Sequence, residues 1–313
     1  MNFRTVQEGS SLMQETVPWK ISLHGGHSSR FCDHSGSTLE EILDAAAAFG
    51  YRTYGVTEHA PRAAAKYLYD EEVEMGWDVA TLDRLFTEYA DTLDKAVCEY
   101  TDRMRVLKAF EAEVVPPACY AEKMLAYKRD FNFDYIVGSV HYVDDIIIDY
   151  KPCYFEQALE ACGGYENLAV RYYRGLADMV TQLQPEIVGH FDIIRKGFPD
   201  ARISDLYLPR VITAAGEALE TVRECQSILD INTGSYRKGA LFPYPAPIFV
   251  RLARDMGIPV CFGDDSHAAA HVGDGIEQAR QYLLSMGIDR ITTLERGRIG
   301  MNRRVVSLHD TEA

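Results

Sequence analysis

Apolar and polar positions along the chain switch repeatedly between two periods. Short β-rich runs are read at Lys20 to Leu23, Arg52 to Thr57, Arg105 to Phe110, Asp134 to Val140, Glu186 to Gly189, Ser227 to Ile231 and Ile258 to Phe262. Between them apolar residues recur at helical spacing, which predicts helices near Thr81 to Tyr100, Ala118 to Lys128, Tyr165 to Leu183, Leu206 to Cys225, Ala246 to Met256 and Gly275 to Met286. A first helix precedes these. Its Leu39, Ile42, Leu43 and Ala46 share one face, Ser37 with Glu40 reads as its capping box, and Gly50 stands at its stop. Seven strand-then-helix units from about residue 20 to about residue 287 are the pattern of parallel βα units, and so of an α/β protein.

No low-complexity or Pro/Gly/Ser-rich linker divides the chain, so one domain over residues 20–313 is expected, with a polar arm at 1–19. The tail beyond Arg290 is read as one further edge strand at Val305 to Leu308. Apolar residues make up 47% of the 313, enough for a large core. Asp and Glu number 47 against 32 Lys and Arg, and the net charge of −15 argues against a nucleic-acid partner. The seven cysteines are an odd set without a C-x-x-C pair, which fits free thiols in a reducing compartment. No apolar stretch has signal-peptide or membrane-spanning length, so a cytoplasmic enzyme with no membrane partner is expected.

The histidines change the picture. Of nine, seven follow the C-terminal end of a predicted strand: His24, His27 and His34 after the first, His59 after the second, His141 after the fourth, His190 after the fifth and His267 after the seventh. Carboxylates join them: Glu58 beside His59, Glu111 and Glu113 on the third strand, Asp192 after the fifth, Asp264 and Asp265 on the seventh. If the strands close into a parallel barrel, these ends converge on one face. Such a cluster repels itself unless cations sit in it, and imidazole with carboxylate suits zinc, manganese or iron. Seven histidines with Glu111 and Asp265 exceed the ligand number of one ion, which points to about two or three divalent metals. His271 and His309 match no motif and are read as surface residues.

The ordered motifs H-x(2)-H-x(6)-H, T-E-H-A-P, F-E-A-E, G-S-V-H, G-H-F-D and D-D-S-H resemble those of the PHP (polymerase and histidinol phosphatase) family. Within it, GVTEHAP, INTGSYRKG and Tyr244-Pro245 are similar to the histidinol-phosphatases of Gram-positive bacteria. The resemblance spans about residues 20 to 275. It implies a distorted (β/α)7 TIM-like barrel with a trinuclear metal centre that hydrolyses a small phosphate monoester, L-histidinol phosphate first, as in histidine biosynthesis. It also implies a ligand map: His24, His27, bridging Glu111 and Asp265 at the first metal; Glu111, His141 and His190 at the second; His34, His59 and His267 at the third. The family's usual H-x-H is one residue longer here, and Gly25 and Gly26 are expected to take the unusual backbone angles that turn both imidazoles inward.

Asp33 is an alternative to His34, and Glu113 to Glu111 as the bridge. Glu58 is read as orienting a histidine, and Cys32 as a small apolar filler. Arg195 and Arg237 are expected to grip the phosphate, with Arg62 and Arg171 as reserves and Lys238 facing solvent. Competing readings are a PHP phosphoesterase for a nucleotide, sugar phosphate or phosphotyrosine, a non-catalytic metal-binding module, and a TIM-barrel amidohydrolase. The last would want a lysine bridge where Glu111 stands.

Overall fold

The computed structural model describes residues 17–198 and 206–309. Its first stave comes in two pieces, β1 (Ile21–Ser22) and β2 (His24–Gly26). β1 pairs with β3 (Thr53–His59), while β2 pairs with β10 (Val260–Ser266), both in parallel. Between β3 and β10 run β4 (Arg105–Ala112), β5 (Tyr135–Gly138), β8 (Ile187–Val188) and β9 (Ile228–Asn232), every pairing parallel. Because the sheet begins and ends in two halves of one stave, it closes into the seven-stave barrel of a (β/α)7 fold.

Parallel strands are covered on both faces, so they read as continuous apolar runs rather than alternating ones. Val56, Leu107, Ala109, Val137, Val188, Leu229, Ile231 and Phe262 are all buried. The helices α1 (Leu39–Phe49), α3 (Val79–Glu99), α4 (Tyr120–Asp130), α6 (Tyr165–Leu183), α7 (Pro209–Glu224), α8 (Pro247–Asp255) and α9 (Ile276–Ser285) match the helices expected from the periodicity, with ends shifted by up to three residues. On α3, Leu82, Leu85, Phe86, Tyr89, Leu93 and Ala96 form the buried stripe. Each large side chain among them contributes roughly 1.5–3 kcal/mol by leaving water.

Several local readings need correction. The cap of α1 is Thr38 with Glu41, one residue later than expected: the Thr38 hydroxyl accepts from Glu41 N at 3.2 Å and the Glu41 carboxylate accepts from Thr38 N at 2.8 Å. The Ser37 hydroxyl is engaged elsewhere, accepting from Ala269 N at 3.0 Å. Two short helices, α2 (Asp70–Glu74) and α5 (Pro152–Cys162), and a hairpin of β6 (Tyr142–Val143) and β7 (Ile146–Ile147) interrupt the strict alternation. α5 carried a readable stripe of Phe155, Ala158 and Cys162, passed over because one helix per strand was assumed. The tail is an antiparallel hairpin of β11 (Arg290–Arg296) and β12 (Met301–Ser307) in its own sheet, not a barrel-edge strand. Of the expected arm at 1–19, residues 1–16 lie outside the described residues; Trp19 is buried under the Arg280 guanidinium.

Candidate metal centre

Each stave delivers its chemistry at its C-terminal end. His59 closes β3, Glu111 lies one residue from the end of β4, and Asp265 with Ser266 closes β10. His141 and His190 follow β5 and β8. The result is a buried knot around one carboxylate. Glu111 Oε1 lies 2.8 Å from His190 Nε2 and 3.5 Å from both His24 Nε2 and His141 Nε2, and it accepts from Ser139 Oγ at 2.5 Å. Its Oε2 faces a second group, His59 Nδ1 at 3.0 Å and His27 Nε2 at 4.0 Å. One carboxylate with an oxygen toward each of two imidazole groups is the shape of a bridging ligand.

Around that hub the other candidates fall into place. His27 Nε2 lies 3.3 Å from Asp265 Oδ1, and its ring stacks on His267 at 4.4 Å between centroids. His34, the most exposed of the seven, stacks on His267 at 4.8 Å and has Asp33 Oδ1 3.1 Å from its Nδ1. His27, Cys32, His59 and His267 bring one ligand atom each within 4.8 Å of one another, as do His24, His190 and Asp265. Cys32, read as a filler, is buried beside this group with its Sγ 3.4 Å from His34 Nδ1. The groupings overlap the ligand map implied by resemblance: His24, His27 and Glu111 also come together, as that map has them at its first metal, while His24 falls with His190, and His27 with His59, as well.

The donor chemistry fits divalent cations. His24 Nε2, both ring nitrogens of His27, and Glu58 Oε2 are buried without a hydrogen-bond partner. His141 Nε2 and His190 Nε2 face each other at 3.3 Å, a contact two lone pairs tolerate only across a cation or a proton. The charges agree. Burial would raise the Glu111 carboxyl, yet the rings of His141, His24 and His190 hold it well below the usual carboxylate range. Burial, then His27, pulls His59 down to about 4, while Glu113 and Glu111 overcome burial to lift His141 to about 10. Without metal His141 holds a proton that a bound cation would displace.

Carboxylates behind the knot fix the rings. Asp230 Oδ2 lies 2.8 Å from His24 Nδ1, and Glu113 Oε1 lies 3.2 Å from His141 Nδ1, each leaving Nε2 toward Glu111. Glu58, raised by burial to about 7, accepts from the Ser28 amide and hydroxyl at 2.7 Å and stands 3.7 Å from His27 Nδ1. Asp230 went unnoticed in the sequence, although a lone acid inside the apolar run of β9 was a signal.

The extra residue between His24 and His27 works through space, not through angles. Neither glycine has a positive φ. A Cβ on Gly25 would lie 2.2 Å from the Gly55 carbonyl oxygen, and one on Gly26 would lie 2.5 Å from Ile42 Cγ2. Across from them the β2–β10 register slips between Gly263 and Ser266, and Asp265 takes φ +46°. This bulge turns Asp265 into the site. Its neighbour Asp264 instead accepts from Tyr51, Tyr54, Ser22 and the Gly273 amide in the core.

The knot floors a cavity of about 480 Å³. Its lining includes Glu111, His141, His190, Asp265 and His267 together with Asp149, Tyr150, Lys196, Arg237, Lys238 and Tyr244. His271, read as a surface residue, is partly exposed in the turn Ala269–His271 and lines the cavity too. Arg195 is not part of this lining; its Nη2 donates to the Phe242 and Pro243 carbonyls and its guanidinium lies over Tyr244.

Comparison with known proteins agrees with this geometry. A model of the PHP domain matches residues 24–234. The chain belongs to this family. Along its length this PHP chain is 31% identical over 279 residues to the probable histidinol-phosphatase of Schizosaccharomyces pombe, covering 88% of this chain and 90% of that one. Its fold is also that of the putative histidinol phosphatase of Listeria monocytogenes (TM-score 0.71, 21% identity, 82% of this chain and 99% of that one). The histidinol phosphate phosphatase of Lactococcus lactis, solved with zinc, L-histidinol and phosphate, superposes at a TM-score of 0.66 with 17% identity over 88% of this PHP chain and 96% of its own. Among the described residues no helix is long and apolar enough to cross a membrane.

Proposed function

We propose that this chain is a metal-dependent phosphomonoester hydrolase that converts L-histidinol phosphate and water to L-histidinol and phosphate. The observation that carries the reading is Glu111, whose two oxygens face separate imidazole groups in a cavity also lined by Lys196, Arg237 and Lys238. Two to three divalent ions, zinc, manganese or iron, are assigned to His24, His27, His34, His59, Glu111, His141, His190, Asp265 and His267. When bound they supply activated water and neutralise phosphoryl charge. The chain's own residues do the rest. Glu111 and Asp265 hold charge balance at the reacting centre, while Asp230 and Glu113 keep the His24 and His141 rings turned with Nε2 inward. Arg237 steadies the segment that bears Asp265 by donating to the carbonyls of Asp264 and Asp265.

The cavity volume suits a small metabolite rather than a macromolecule. The name carried by the fungal relative, with 90% of that protein covered, favours histidinol phosphate over other esters. A panel of L-histidinol phosphate, a nucleoside monophosphate, a sugar phosphate and phosphotyrosine tests this on the metal-loaded protein. The expected result is a kcat/KM for histidinol phosphate at least about a hundredfold above the others, as a site that hydrogen-bonds its substrate discriminates. Equal rates on all four would make it a general phosphoesterase.

A further inference from the structure

The three cations on the cavity wall are not equally committed. Arg237 directs Nη1 to the Asp264 carbonyl at 2.8 Å and Nη2 to the Asp265 carbonyl at 2.6 Å. Lys196 lies against Asp149, donating to its backbone carbonyl and, at 3.2 Å, to its Oδ2. Lys238 stands beside Lys196 at the end of the turn Thr233–Lys238, and among the described residues no carboxylate lies within ion-pair distance of it. The two ammonium groups carry one more positive charge than Asp149 cancels. An uncompensated pair of this kind beside a metal-binding wall is stable when an anion sits on it.

The other basic residues are occupied elsewhere. Arg195 lines an adjoining cavity of about 750 Å³, with Asp192 3.2 Å from its Nε. Arg62 is buried against Glu72 and Tyr69, and Arg171 is exposed and paired with Asp144.

Resting on the phosphatase reading above, we propose that Lys238 is a phosphate-binding residue, its ammonium backed by Lys196 and donating to a non-bridging phosphoryl oxygen. Ester and inorganic phosphate present the same dianion to a mobile point charge. Lys238 therefore binds substrate and product alike, and its loss shows in binding rather than in turnover.

The test uses Lys238→Ala and Lys238→Arg in the metal-loaded enzyme, with L-histidinol phosphate as substrate and inorganic phosphate as competitive inhibitor. Lys238→Ala is expected to raise KM and the phosphate inhibition constant together by roughly ten- to thirtyfold, the loss of one charge-assisted hydrogen bond. Turnover should stay within about threefold, metal content should not change, and Arg should restore most of the loss. Lys95→Ala removes the same charge from the exposed face of α3 and should leave both constants within about twofold of the parent. Unchanged KM and inhibition constant in Lys238→Ala would overturn the proposal. If the parent does not hydrolyse the ester at all, the phosphatase reading falls instead. Calorimetric phosphate binding to parent and Lys238→Ala then decides on Lys238 alone, equal affinities overturning it.

Discussion

Glu111 is the residue on which the site turns, because five imidazoles from four staves approach its two oxygens. Glu111→Gln keeps the shape and removes the charge that balances bound cations, so kcat should fall at least about a thousandfold. Near-normal turnover in that variant would move the bridge to Glu113. Asp230→Asn should leave the fold intact yet weaken metal binding roughly ten- to a hundredfold, measured by competition with a chelator, since the amide no longer holds the His24 tautomer. Arg237→Ala should lower metal content along with kcat/KM, because its two donors hold the carbonyls of Asp264 and Asp265. At this scale the histidines were legible from their places after β-runs, and the choice of Asp265 over Asp264 came with the family resemblance. What stayed hidden were pairings distant in sequence, such as Asp230 behind His24: an acid inside an apolar run stands out, but nothing local names its partner.

The elements carry the site through close approach and one irregularity. Gly25 packs where a methyl would strike the Gly55 carbonyl of β3, so Gly25→Ala should cost more than about 2 kcal/mol of stability and lower metal uptake with it. Denaturant unfolding and elemental analysis of the one variant test both halves. The cap of α1 makes a milder test: Thr38→Ala should cost about 1 kcal/mol, whereas Ser37→Ala should leave the cap intact. Periodicity gave the long helices because their buried stripes are strong, as on α3 and α6. It missed β6 and β7 because two-residue strands have no period to read. The bulge at Asp265 is equally silent in sequence, since it is the pairing with β2 that creates the extra residue.

At the scale of the whole molecule, the parallel βα pattern was legible in the periodicity and closure into a barrel in the family resemblance, but not the way the two ends meet. The barrel closes through a first stave that changes partner at Leu23, pairing with β3 before it and β10 after it. That closure is what gathers the candidate ligands from residue 24 to residue 267 onto one face. Metal binding should therefore stabilise the fold as a whole, by about 2.7 kcal/mol per site at a hundredfold excess over Kd. It should also weaken progressively as pH falls below about 10, because His141, held protonated up to there by Glu113 and Glu111, must give up its proton to bind.

A single titration reaches the central claim: zinc or manganese added in known equivalents to the metal-stripped protein, with phosphate release from L-histidinol phosphate followed at each step. The expected result is no release from the stripped protein and a rise that saturates at about two to three equivalents per chain. Release that needs no metal, or that saturates below one equivalent, would contradict a phosphatase built on this cluster.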